Sequence, residues 1–161
     1  MDYQTKKKVA DAVFHIRGVS ESNEYINITV KATNGATEPV LSKGASITIS
    51  DGVLKLTGIP AGVYEITEVS APPHYSVAVG KNSQSVRVEN NAEVHPKVTF
   101  ENQPYGSLTI RKIDAQTQET LAGFYFQVIN HTTGFEQTVE TGKNGEVTIE
   151  DLTEGSYEVK E

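Results

Sequence analysis

The chain has 161 residues, 37% hydrophobic and 22% charged, enough for one large or two small packed domains and too apolar for wholesale disorder. A net charge of −7 and a pI near 5.1 argue against a nucleic-acid partner, which would need a basic face. The absence of cysteine excludes disulfides, thiolate metal sites and a cysteine nucleophile, and no apolar run approaches membrane-spanning length.

The chain opens on a polar, basic stretch through Lys6-Lys7-Lys8, which reads as a solvated end with no signal-peptide core behind it. Period-two alternation then runs almost throughout, and helical periodicity is nearly absent. It predicts strands over residues 13–16, 25–30, 45–49, 53–56, 64–66, 76–79, 86–88 and 98–100, and over 108–113, 124–129, 138–139, 147–149 and 157–159. Turn signals stand at Asn34-Gly35, Asp51-Gly52, Pro72-Pro73 and Asn144-Gly145. Asn102-Gln103-Pro104-Tyr105-Gly106 reads as a short linker, which puts domains at 1–103 and 104–161. Short strands with Gly, Asn and Pro breaks predict an all-β protein of two tandem antiparallel sandwiches.

An internal repeat supports the division. Gly62-Val63-Tyr64-Glu65-Ile66-Thr67-Glu68 returns as Gly155-Ser156-Tyr157-Glu158-Val159-Lys160-Glu161, 93 residues later (161 − 68). Alternation puts Tyr64, Ile66 and Glu68 on one strand face, and Tyr157, Val159 and Glu161 on another. The aromatic and aliphatic members mark that face as core, so each glutamate is predicted to point inward, where it must be neutral, paired or chemically used. Leu108, Ile110 and Lys112 share a face in the second unit, and Val98, Phe100 and Asn102 in the first.

Lysine, glutamate and asparagine in phase with core residues form a reactive set. A desolvated lysine loses its proton readily and a desolvated carboxyl keeps one. The neutral amine is a nucleophile, and the acid can polarise an amide and shuttle protons, so the product is a Lys–Asn side-chain amide with ammonia released. The plainer readings are a strand-end lysine whose stem packs while its head reaches water, and a turn-forming asparagine at a domain boundary. The four histidines lack ligand spacing, so no metal site is predicted, and no phosphate loop or nucleophile elbow is present to suggest a cofactor or a turnover enzyme. His95-Pro96-Lys97 reads as an ordinary loop.

Ser107-Leu108-Thr109-Ile110-Arg111-Lys112-Ile113-Asp114, Leu121-Ala122-Gly123-Phe124-Tyr125-Phe126-Gln127-Val128 and the closing Gly155–Glu161 phrase together resemble a Cna-type B domain. Ala12-Val13-Phe14-His15-Ile16, Glu68-Val69-Ser70-Ala71-Pro72-Pro73-His74-Tyr75 and Phe100-Glu101-Asn102 fit the same pattern in the first unit. Such domains, also called SpaA-type or prealbumin-like, occur in Gram-positive pilins and adhesins. The resemblance implies Ig-like β-sandwiches with Lys–Asn isopeptide bonds assisted by glutamate. It makes Lys112 the amine donor and Glu161 the catalytic acid of the second unit, and Glu68 the acid and Asn102 the acceptor of the first. It further implies a stalk or pilin module on the cell wall of a Gram-positive bacterium, with neighbouring domains, other pilin subunits or a host ligand as partners. The alternative is an adhesive module for a host protein or carbohydrate. Two departures stand out. No acceptor strand follows Glu161, and aligning Ala12 with Phe124 puts the counterpart of Lys112 at position 0 (112 − 112), leaving Lys6 or Lys8 as the first unit's donor. The chain therefore reads as an excerpt of a longer protein.

Overall fold

A computed structural model describes residues 1–33, 41, 44–77, 80–90 and 93–161, and among these there is no helix. The Asn34-Gly35 turn and the end of the predicted 76–79 strand lie outside the described residues. The chain forms two compact units, Met1–Pro104 and Tyr105–Glu161.

The first unit contains β1 (Val13–Gly18), β2 (Asn27–Lys31), β3 (Ser46–Ser50), β4 (Val53–Thr57), β5 (Gly62–Ser70), β6 (Tyr75–Val77), β7 (Ser83–Val88) and β8 (Asn102–Pro104). Its main sheet runs β2-β1-β5-β7, with β3–β4 and β6–β8 as separate pairs, all antiparallel. Alternation does the sorting. Phe14 and Ile16 of β1 turn inward, while Arg17 faces solvent and pairs across the sheet with Glu65 at 3.1 Å. Tyr64 and Ile66 of β5 join them in a core with Ile26, Ile47 and Phe100. The β3–β4 hairpin closes through Asp51 and Gly52, whose positive φ values of 50° and 70° suit a two-residue turn with a right-handed strand twist.

The second unit contains β9 (Gly106–Arg111), β10 (Tyr125–Asn130), β11 (Phe135–Glu140), β12 (Glu146–Leu152) and β13 (Glu158–Lys160). One sheet runs β11-β10-β13 and the other pairs β12 with β9, again antiparallel. Between them lie Ile110, Phe126, Val128, Ile149 and Leu152. The all-β antiparallel expectation holds in both units.

Three expectations fail locally. Residues 98–100 were predicted as a strand, yet ladder pairing begins only at Asn102. Proline at 96 has no N–H to give, and the segment's described bonds are single: Gln84 Nε2 donates to Thr99 O at 2.7 Å, and the Met1 ammonium donates to Phe100 O at 2.8 Å. Pro104, expected to break structure, instead ends β8 opposite Tyr75. The start of the chain is likewise not all solvated. Asp2 is buried, accepts from the Thr5 amide and hydroxyl and from the Tyr75 hydroxyl at 3.0 Å, and bridges in parallel to Asn102. Its short side chain satisfies a local turn that a charge count could not foresee.

Candidate functional site

In the first unit the site is built where β5 ends beside β8. Phe14 pairs with Glu68 across β1 and β5, so the same alternation that buries Tyr64 and Ile66 carries the Glu68 carboxyl inside, 2% exposed. Asn102 enters from β8, which is held to β6 on one side and to Met1–Tyr3 on the other, and is 1% exposed. The two side chains meet: Asn102 Nδ2 donates to Glu68 Oε1 at 2.8 Å. Burial pushes the Glu68 carboxyl above its ordinary value; the Asn102 hydrogen bond and the nearby Met1 ammonium pull the other way and do not cancel it. Burial also holds the Met1 amine below its ordinary value. The arrangement is a buried carboxyl, shifted toward its protonated form, bonded to an amide, a pairing that can polarise the amide and move a proton.

The lysine is less defined. Lys6 Nζ binds Glu101 at 2.7 Å on the surface. Lys8 is exposed and lines the same groove as Asn102. The structure reproduces the offset read from sequence, because Ile16 pairs with Ile66 as Val128 pairs with Val159.

In the second unit Lys112 and Glu161 do face each other, with Nζ 2.7 Å from both carboxylate oxygens. Lys112 also stands 5.0 Å over the Phe124 ring. The expected burial is not found: the Glu161 side chain is 50% exposed and that of Lys112 24%. Val159 and Tyr157, expected as core, are exposed and half-buried. The reason is coverage. β5 is flanked by β1 and β7, whereas among the described residues β13 has β10 alone as its neighbour, over three residue pairs. Among the described residues Asn130 Nδ2, buried at the far end of β10, finds no acceptor. A half-exposed ion pair contributes little, so Lys112→Met should change the second unit's stability by less than about 1 kcal/mol in urea unfolding. A loss of several times that would show that the pair is buried in solution.

The sequence reading missed Asp2 and the Met1–Tyr3 contact, which together seat β8. The signal available was only a short acidic residue three positions before a threonine.

Two antiparallel β units, one with a carboxyl and an asparagine amide bonded to each other where β5 ends beside β8, define an all-β protein of tandem domains. The chain belongs to the SpaA family of prealbumin-like fold domains, matching it twice, over residues 1–104 and 106–161. Among solved structures it is similar to a streptococcal ancillary pilin at 20% identity, with 99% of this chain and 50% of that one covered and a TM-score of 0.43. It is similar to the Bacillus anthracis TIE protein at 20%, covering 99% and 26%, with a TM-score of 0.46. A third is the shaft pilin SpaA from Lactobacillus rhamnosus GG, at 13%, covering 97% and 78%, with a TM-score of 0.48. The chain thus spans half of the first of these proteins and about a quarter of the second. No curated protein matches it. No helix among the described residues is long and apolar enough to cross a membrane.

Proposed function

We propose that the chain is a load-bearing module of a bacterial cell-surface protein, of the pilin or adhesin-stalk kind, displayed on the Gram-positive cell wall among similar modules. The observation that supports this most is the buried Glu68–Asn102 pair. In the proposed chemistry a neutral lysine amine attacks Cγ of Asn102. Its nitrogen forms the new C–N bond, the bond to Nδ2 breaks, and Glu68 relays the amine proton to the departing nitrogen, which leaves as ammonia. The reaction runs once per molecule and is not turnover catalysis. A cross-link closing most of a domain stabilises it by about 4 kcal/mol on a chain-entropy estimate, without cysteine. Within the chain Lys8 is better placed than Lys6, since it lines the groove that reaches Asn102. In the second unit Lys112 is the proposed donor and Glu161 the acid.

Intact mass tests the reading. The chain alone, or mixed with a peptide copying residues 106–113, which carries Lys112, should lose one ammonia per joint formed. Glu68→Ala and Asn102→Ala should lose none. A joint that still forms in Asn102→Ala, or the absence of any joint in the wild-type chain under both conditions, overturns it.

A further inference from the structure

Glu68 and Asn102 are held by different means. Glu68 lies in the nine-residue strand β5, paired on both sides by β1 and β7. Asn102 opens β8, which is three residues long, as is its ladder partner β6. Nor does β6 grip Asn102 itself. The Asn102 N–H donates to Met1 O at 2.7 Å, and its carbonyl accepts from Tyr3 N at 2.9 Å. Both peptide groups thus point away from β6, which makes Asn102 and Val77 a non-hydrogen-bonded pair. The residue whose amide meets Glu68 is fixed by the turn at the start of the chain.

That turn occurs twice. Asp2-Tyr3-Gln4-Thr5-Lys6 returns 112 residues later (114 − 2) as Asp114-Ala115-Gln116-Thr117-Gln118. In both copies the aspartate Oδ1 accepts from the threonine amide three residues on, and the aspartate N–H donates to the carbonyl five residues on. The fifth residue takes a positive φ in each, 56° at Lys6 and 63° at Gln118. These bonds close the turn from its own residues. In the first copy Asp2 does more. Its other oxygen, Oδ2, accepts from the Tyr75 hydroxyl at 3.0 Å, with Asp2 only 6% exposed. Tyr75 belongs to β6, on the opposite side of β8, so this bond adds nothing to the turn and ties it across the strand that carries Asn102. A further tie runs from Lys6 Nζ to Glu101, the residue before Asn102, at 2.7 Å, with the ammonium 4.5 Å over the Tyr3 ring.

We propose that the turn over residues 2–7 is a clasp that sets the Asn102 amide against Glu68, with Asp2 and Tyr75 as its positioning residues. Both act through the backbone that carries Asn102 rather than on its amide group. A proton passes between a carboxyl and an amide nitrogen only at hydrogen-bond distance, and Glu68 Oε1 and Asn102 Nδ2 stand 2.8 Å apart. A misplacement of about 1 Å in such a site costs on the order of 100-fold in rate. β5 already fixes Glu68, so the precision of the pair depends on what holds the short strand opposite. The part Asp2 and Tyr75 play in amide formation rests on the reaction proposed above. Their hold on Asn102 does not, and it is measurable without that reaction.

The test uses the full chain and follows hydrogen exchange of the two Asn102 Nδ2 protons by NMR, which burial and the bond to Glu68 slow in the wild type. Tyr75→Phe removes only the hydroxyl, and Asp2→Ala removes both carboxylate oxygens. In each, exchange at Asn102 Nδ2 should quicken by at least about tenfold, while the backbone amides of Ile16 and Ile66 in the main sheet exchange as in the wild type. Asp2→Asn is the rescue. Its oxygen still accepts from Thr5 and its nitrogen donates to the Tyr75 hydroxyl, so exchange should stay within about threefold of the wild type. With the peptide of residues 106–113 present, ammonia loss read by intact mass should slow by at least about tenfold in the first two variants and recover in the third. Unchanged exchange at Asn102 Nδ2 in both Tyr75→Phe and Asp2→Ala overturns the proposal, and so does an equal quickening at Ile16 and Ile66. Faster exchange at Asn102 alone, with no ammonia lost by any of the proteins, upholds the clasp and counts against the amide reading.

Discussion

Glu68→Gln is expected to stabilise the first unit at neutral pH and to abolish amide formation there. The Glu68 carboxyl is raised in the folded state, by burial first, from an ordinary value of 4.5. A raised acid binds its proton more tightly when folded than when unfolded. Stability is therefore greatest below the ordinary value and falls as pH rises through the window between 4.5 and the folded value. Above that window the folded state carries a desolvated charge. Glutamine keeps an acceptor oxygen for Asn102 Nδ2 and has no charge to hold, so its unfolding free energy should be flat across the same window. The groups facing Glu68 are the Asn102 amide and the Met1 ammonium. The ammonium pulls the Glu68 value down but does not cancel the effect of burial, so it does not reverse the sign. Glu68→Ala behaves differently, because it strands the buried Asn102 donor and should cost about 1–3 kcal/mol at low pH. Urea titrations of the three proteins across the acid range separate these outcomes. A wild-type stability that rises with pH through the window would show that Glu68 is ionised and paired rather than retained as an acid.

Tyr64→Ala should unfold the first unit at ordinary temperature, while the same change at the repeat position, Tyr157→Ala, should leave the second unit folded. Tyr64 is 2% exposed, the largest fully buried side chain, and its hydroxyl donates to Pro60 O at 2.8 Å. Removing a buried aromatic costs about 3–5 kcal/mol, a large share of the stability of a domain this size. Tyr157 makes the same bond four residues back, to Thr153 O at 2.9 Å, and stacks edge-on against Phe135 at 5.8 Å. It lies half-exposed, so less area returns to water and no closed cavity is left; about 1–2 kcal/mol is expected. Unfolding followed by amide exchange in each unit gives both numbers from one protein. Equal losses at the two tyrosines would mean that β13 is covered in solution as β5 is.

Alternation in the sequence was enough to decide which way the side chains of β1 and β5 face. Phe14, Ile16, Tyr64, Ile66 and Glu68 are buried where alternation put them, and Asn102 is turned inward with Phe100. The match of Gly62–Glu68 to Gly155–Glu161 was visible as identity of residues, because the same local geometry demands the same phrase. Facing alone, however, does not make a core. A side chain on the inner face is buried only if another strand covers it, and coverage is set by pairing between distant segments. Glu68 is enclosed because β7 and β8 lie beside β5 and at its end, and its repeat partner Glu161 stays half-open because β13 has β10 alone. Leu54 and Leu56 alternate as Val147 and Ile149 do, and only the tertiary structure decides that Val147 and Ile149 lie opposite Ile110 and Leu108 while Leu54 and Leu56 lie opposite Ile49 and Ile47.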